Sequence, residues 1–258
     1  MPTLTDRVAV VTGSTSGIGR GIARHLASLG AAVVIHGTNK AHGEALVADI
    51  RSAGGRAVFI GANLLDADDC LAIIREAARE FGRIDVLVNN AADISRGNVE
   101  SVPLALWDRI LAVNLRAPFI LIQAAIPHMR AQGGGSILNV GSVNAYIGEP
   151  KLCPYAVSKG GLMTLTKNAA AHLNQYRIRV NQLNVGWTLT EGEHRVKLLE
   201  GKGESWLEDA VRTRPFGRLL DPQDIAYAAA YFASDESACI TGTVMDLEQY
   251  PVGAPPNW

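Results

Sequence analysis

Short apolar runs rich in β-branched residues alternate with longer amphipathic stretches along almost the whole chain. Six of them stand out: RVAVVTG (7–13), AAVVIHG (31–37), RAVFIGA (56–62), IDVLVNN (84–90), GSILNVGS (135–142) and IRVNQLNVG (178–186). Strands that are nearly continuously apolar, rather than apolar at every second position, suit a parallel sheet covered on both faces. Between the runs, helices are predicted over 17–29, 40–53, 66–82, about 104–131, 155–174 and 222–233. The third begins among Asp66, Asp68 and Asp69 and closes at Gly82, as helix ends prefer. Repetition of strand and helix means βαβ units with right-handed crossovers, hence an α/β fold with a doubly wound parallel sheet. No linker, internal repeat or low-complexity block divides the 258 residues, so they read as a single domain. In this architecture ligands lie outside the carboxyl ends of the strands, and chemistry is to be sought there.

Composition removes several classes of function. Lys and Arg number 24 against 25 Asp and Glu, a balance that leaves no electrostatic footprint for nucleic acid and no basic patch for a lipid surface. No uninterrupted apolar run approaches the length of about 18 residues needed to span a membrane. The opening MPTLTDRVAVV leads directly into a strand and lacks the layout of a secretory signal. Cys70, Cys153 and Cys239 are odd in number and far apart, which reads as reduced thiols in a cytoplasmic protein with no disulfide frame and no CxxC metal site. His25, His42, His128 and His172 lie in helical stretches without metal-ligand spacing.

Two local patterns carry chemistry. The first strand runs into TGSTSGIG, with Gly13, Gly17 and Gly19 around Ser16 and Ile18. Glycines there permit a tight turn and a close approach of backbone to a pyrophosphate at the helix N-terminus. The spacing GxxxGxG is not a P-loop, since no Lys-Ser/Thr follows, and Thr15 at its centre rules out a GxSxG nucleophile elbow. The second pattern is CPYAVSK, where Tyr155 and Lys159 stand four residues apart just after a proline and share one helix face. A free phenol has a pKa of about 10 and is a poor base at neutral pH; a cation beside it favours the phenolate and draws that value down.

TGSTSGIG, NNAA (89–92), Asn114, Ser142, YAVSK (155–159) and NVGWTLT (184–190) occur in one order with one set of gaps, and together they resemble the short-chain dehydrogenase/reductase family over nearly the whole chain. The resemblance implies a Rossmann-like NAD(P)-binding oxidoreductase that interconverts a secondary alcohol and a ketone, assembled as a homodimer or homotetramer. It implies that Tyr155 is the general acid/base, that Lys159 lowers the phenol's pKa and bonds the nicotinamide ribose, and that Ser142 holds the substrate oxygen. Asn114 would hold a water linking Lys159 to solvent. The cofactor would lie along Gly13, Ser16, Gly17, Ile18 and Gly19, then Gly37 and Thr38, Asn63 and Leu64, Asn90 and Ala91, with Tyr155, Lys159, Gly186, Thr188 and Thr190 at the nicotinamide end. Helices 104–131 and 155–174, with Leu111, Phe119, Leu162 and Leu165, would pair between copies.

The chain departs from the family pattern in places. Ala92 stands where Gly is frequent, Asn63 where Asp is frequent, and Val185 where Pro is usual; LEQYPVGAPPNW replaces the common Asp-Gly-Gly turn near the C-terminus. Strand two ends in HGTNK, with Gly37 where an acid would select NAD by repelling a 2′-phosphate. Thr38, Asn39 and Lys40 could hold that phosphate, which leans the reading toward NADP(H), although no Arg is present and the loop could accept either cofactor. Tyr146, Cys153 and Trp187 are candidate substrate residues beside Ser142 and Tyr155. Residues 187–214 read as a mostly solvated amphipathic lid, with His194 a candidate to face substrate. Glu191, Glu193 and His194 suggest a sugar or polyol substrate. The alternatives are a 3-oxoacyl-thioester reductase and a non-catalytic dinucleotide sensor on the same fold.

Overall fold

A computed structural model describes residues 3–253. The six apolar runs form strands β1 (Val8–Val11), β2 (Ala32–Gly37), β3 (Arg56–Gly61), β4 (Val86–Asn89), β5 (Gly135–Ser142) and β6 (Ile178–Val185). A seventh strand, β7 (Val244–Leu247), joins them in a parallel sheet of order β3-β2-β1-β4-β5-β6-β7. That last strand escaped the sequence reading for a physical reason: it is a short edge strand, none of whose four residues is fully buried, so it shows no apolar run.

The continuous apolar strands are explained by their two covered faces. Ala9, Val11, Val33 and Ile35 pack toward α1 (Gly17–Ser28), α2 (Lys40–Ser52) and α9 (Pro222–Ala233). Val10, Val34 and Leu87 pack toward α3 (Ala67–Phe81), α5 (Ala117–Ala131) and α6 (Cys153–Leu173). The strand order reverses between β1 and β4, which opens a crevice at their carboxyl ends.

Three departures from expectation bear on the site. The helix foreseen over 104–131 is α4 (Leu104–Leu111) and α5 joined through a π-helical turn at Ala112–Arg116, and Asn114 sits in that turn. By length and composition the stretch Leu104–Ala131 is apolar enough to cross a membrane, which a search for uninterrupted apolar runs passes over; its inner face, with Leu121, Ala125 and Met129, is core. Finally, the lid is solvated along most of its length, as read from sequence, but it also carries a small core of its own that was not foreseen. It folds into α7 (Glu191–Leu199) and α8 (Trp206–Arg212), where Trp206, only 5% exposed, stacks on Trp187 with ring centroids 6.0 Å apart and packs with Ala210 and Leu219.

Candidate active site

The end of β1 is fastened to its neighbours by side chains in the same segment. The Thr12 hydroxyl accepts from the backbone N–H groups of Asn90 (3.0 Å) and Ala91 (3.1 Å) at the end of β4. Asn90 Nδ2 donates back to the carbonyls of Thr12 (2.9 Å) and Gly13 (3.1 Å). Gly13 has φ +61°, and a Cβ there would lie 2.8 Å from the backbone of Ala91, so only glycine serves. From β2, buried His36 accepts the Gly13 N–H at Nδ1 (3.2 Å) and donates from Nε2 to the Ala62 carbonyl (3.2 Å), which fixes the neutral Nε2–H tautomer. Burial drives its pKa down to about 4. A polar residue inside the apolar run VVIHG was the signal for this role, and the motif reading passed over it. Ser16, at φ −156°, precedes α1 without a side-chain cap, so it blocks none of the first-turn N–H groups.

Tyr155 and Lys159 lie in the first turns of α6, whose start is set by Pro154. Lys159 is 2% exposed and donates from Nζ to the Val140 carbonyl of β5 at 2.7 Å. Burial lowers its pKa to about 8. Its ammonium stands 5.7 Å from the centroid of the Tyr155 ring. The depressed phenol expected from that neighbour is not found: burial holds Tyr155 above its ordinary range, against opposing pulls from Ser142 and the charge of Arg96, while Glu193 pushes further upward. Ser142 ends β5 and accepts from the backbone and side-chain N–H groups of Asn144 (3.2 and 3.3 Å). The Asn114 amide is fully engaged, bonding the backbone of Asp93 (2.7 and 3.0 Å) and the Ser158 hydroxyl (3.0 Å), so its side chain braces the β4 loop against α6. Deeper along α6, Thr166 joins Asn139 (2.8 Å) to Gln182 (3.0 Å) across β5 and β6, which seats the helix on the sheet.

A cleft of about 350 Å³ opens at this end of the sheet, and Asn114 is not on its wall. Ser142, Tyr155 and Lys159 form part of its wall, with Asn90, Ile18, Gly186, Trp187, Thr188 and Thr190 around them. Thr188 donates to the Gly186 carbonyl (3.1 Å), and Thr190 caps α7 by accepting from Glu193 N–H (3.0 Å). Gly13, Gly17 and Gly19 lie beside it at the β1 turn, and Gly37 and Thr38 at the end of β2. Asn63 caps its own turn through Leu65 N–H (3.1 Å), just before Leu64, while Asn39 is spent capping α2 and Lys40 pairs with Glu44 (3.6 Å). Two predicted substrate residues are not on the cleft wall. Tyr146 points its phenol to Asp246 and Asn184, and Cys153 has its backbone tied to Gly97. His194 is likewise turned away, its Nδ1 accepting from Trp206 Nε1 at 2.9 Å. Glu193, one of the lid residues read as pointing to a polar substrate, is on the wall, together with Arg96, Asn144 and Glu248, three polar residues with no motif around them to reveal them. Among the described residues no group of His, Cys, Asp and Glu is arranged to hold a metal ion.

The profile of a family described as enoyl-(acyl carrier protein) reductase matches residues 13–248. The pig protein called dehydrogenase/reductase SDR family member 4 is 36% identical over 240 residues, 93% of this chain and 85% of its own. The chain belongs to the short-chain dehydrogenase/reductase family. A probable galactose dehydrogenase of Rhizobium meliloti is 36% identical over 251 residues, covering 96% of this chain and 95% of that one. Among solved structures, a candidate NAD(P)-dependent gluconate 5-dehydrogenase from Beutenbergia cavernae, with NADP bound at low occupancy, superimposes with a TM-score of 0.88 at 32% identity over 96% of this chain and 97% of its own. This short-chain dehydrogenase is thus an NAD(P)-dependent oxidoreductase. Its own residues fit a dinucleotide: Gly17, at φ +52°, presents bare backbone at the turn, and α1 opens with no side-chain cap over its free N–H groups.

Proposed function

We propose that this dehydrogenase interconverts a secondary alcohol and a ketone on a hydroxylated substrate such as a sugar or polyol. The observation that carries the reading is the convergence of Ser142, Tyr155 and Lys159 on one cleft whose remaining wall is set with Asn144, Glu193 and Glu248. Hydroxyl groups would find acceptors and donors there, whereas the acyl chain of a 3-oxoacyl thioester would desolvate this polar wall and offer it no hydrogen bonds in return. A bound nicotinamide would supply or accept the hydride. The chain's part is the proton. The Ser142 hydroxyl holds the substrate oxygen, and Tyr155, neutral in its buried setting, donates to a carbonyl oxygen at neutral pH. In the reverse direction the phenolate takes the alcohol proton, and the Lys159 ammonium beside it favours that form. With a dinucleotide bound, Lys159 would also hold the nicotinamide ribose, and a relay to solvent would pass by Asn114, its side chain serving to brace the turn.

The same reading extends to the rest of the chain. Residues 1–258 act as one domain carrying the lid at about 187–214. The free thiols Cys70, Cys153 and Cys239 suit a cytoplasmic setting. The absence of an acid at Gly37 leaves NADP(H) acceptable and favours it, with Thr38 exposed at the loop.

Tyr155→Phe tests the mechanism, since it keeps the ring and removes the oxygen. Turnover should fall by about 10²–10⁴-fold with cofactor affinity preserved. Near-normal turnover would refute the proton-transfer role. A panel of sugars, polyols and 3-oxoacyl thioesters, followed at the nicotinamide absorbance with both cofactors, should give activity on the hydroxylated compounds; activity on thioesters alone would favour the acyl reading, and none at all a sensor.

A further inference from the structure

The cleft wall contains two cations, and they are not equivalent. Lys159 is committed to the Val140 carbonyl. Arg96, in the loop after β4, makes one contact: its Nε donates to Glu200 Oε1 at 3.1 Å, and among the described residues its two Nη groups donate to nothing. It lines the same cleft as Tyr155 and Ser142. The two cleft carboxylates have counter-charges of their own. Glu193 accepts from Trp187 Nε1 (2.8 Å) and faces Lys197 (3.4 Å); Glu248 faces Arg214 (4.0 Å) and accepts from Trp187 N–H (3.4 Å). Glu200 differs from both. It belongs to the far end of α7, sits partly exposed, and has a second cation in reach, Lys197 Nζ at 3.0 Å from Oε2. It can leave Arg96 without becoming an unpaired charge.

A guanidinium with an open fork, set in a pocket of hydroxyl-binding groups, is suited to a planar two-oxygen anion. We propose that Arg96 is the seat for a carboxylate on the substrate, that Glu200 occupies this seat in the empty enzyme, and that a polyhydroxy acid displaces it. The inference rests on the polyol reading above and narrows it to acids. The seat is held at a fixed place. Gly97 N–H donates to the Lys151 carbonyl (2.9 Å) and Cys153 N–H to the Gly97 carbonyl (3.0 Å), so the loop of Arg96 is bridged to the first turn of α6. Because Glu200 is on the lid, filling the seat also releases α7 from the β4 loop.

The test uses two pairs of compounds that differ in one terminal group, D-gluconate with D-glucitol and D-galactonate with D-galactitol. The wild-type enzyme should prefer the acids in kcat/KM. Arg96→Gln should lose about 10- to 100-fold on the acids, the scale of one charged hydrogen-bonded contact, and about twofold at most on the polyols. Arg96→Lys should restore part of the loss. Glu200→Gln should lower KM for the acids and leave the polyols unmoved. Cofactor affinity, measured for each variant, reports whether it has folded; should Arg96→Gln fail that check, Arg96→Lys and Glu200→Gln decide. Equal losses on acid and polyol, polyol turnover with no acid preference, or an unmoved acid KM in Glu200→Gln would each overturn the seat alone. No turnover of any of the four by the wild type, with either cofactor, would overturn the polyol reading and the seat together.

Discussion

Lys159 and His36 are two buried titratable groups whose burial acts on pH stability with related signs. The Lys159 pKa falls from 10.5 to about 8 on folding, so between those values the unfolded chain holds more protons. Stability therefore rises with pH through that window, and the full penalty of about 3 kcal/mol is present below about pH 8. Lys159→Met removes the charge and forfeits one charge-assisted hydrogen bond worth about 1.5–2 kcal/mol. The expected result is a Tm about 2–6 °C higher at pH 7, an advantage that shrinks by pH 10, together with loss of turnover and of cofactor affinity. Thermal unfolding at the two pH values checks the first part, and a rate defect with intact cofactor binding would refute the ribose contact. His36 is depressed from 6.5 to about 4, so it contributes stability above pH 6.5 that is lost as pH falls through that interval. His36→Gln should make the decline of Tm from pH 6.5 to 4 shallower by about one proton's worth. Residue roles were unevenly legible. Spacing alone puts Tyr155 and Lys159 on one helix face, Ser142 is marked only by the family resemblance, and all three line the cleft. Arg96 and Glu248 carry no such mark, because they are brought to the cleft by the path of loops, and no local period encodes that.

At the scale of elements, the apolar runs located every internal strand because burial on two faces leaves room only for polar residues that find partners, such as Asn139 and Gln182. Edge strand β7, with exposed Met245, and the π turn that breaks 104–131 obey no such constraint. The lid's helices hide for a related reason: their small core is assembled from Trp187, Trp206 and Leu219, residues scattered among charges. Strand β2 ends at Gly37 as read from sequence, but the structure adds a steric condition. A Cβ at Gly37 would fall 2.7 Å from Thr15 Cγ2. Gly37→Asp alone therefore perturbs the cofactor turn, and the informative variant carries Thr15→Ala as well. Relative to Thr15→Ala, the double variant should shift the ratio of kcat/KM toward NAD(H) by at least about tenfold, since a carboxylate accepts from ribose hydroxyls and repels a 2′-phosphate. An unmoved ratio would mean that the adenosine ribose lies elsewhere.

For the molecule as a whole, the outer faces of α4, α5 and α6 stay apolar. Leu104 is 78% exposed and Phe119 49%, and Leu111, Leu115 and Leu165 line a shallow groove beside Phe119. Leu162, foreseen at this surface, instead faces the core. We expect two copies to pair over this face, giving a dimer or tetramer by light scattering at micromolar concentration, and Phe119→Glu to shift the population toward monomer with the monomer's fold retained. Monomer alone in the wild type would contradict this. The Gly97–Leu152 bridge has a consequence on the timescale of lineages. It welds the loop of Arg96 to the helix of Tyr155, whereas α7 meets the body through side-chain pairs such as Arg20–Glu191 (2.6 Å). Insertions, deletions and exchanges within 191–205 can then accumulate without altering the span between the loop of Arg96 and the helix of Tyr155. Descendants of this enzyme, natural or selected in a library, can acquire longer or shorter substrates by rewriting that one segment while inheriting the chemistry unchanged.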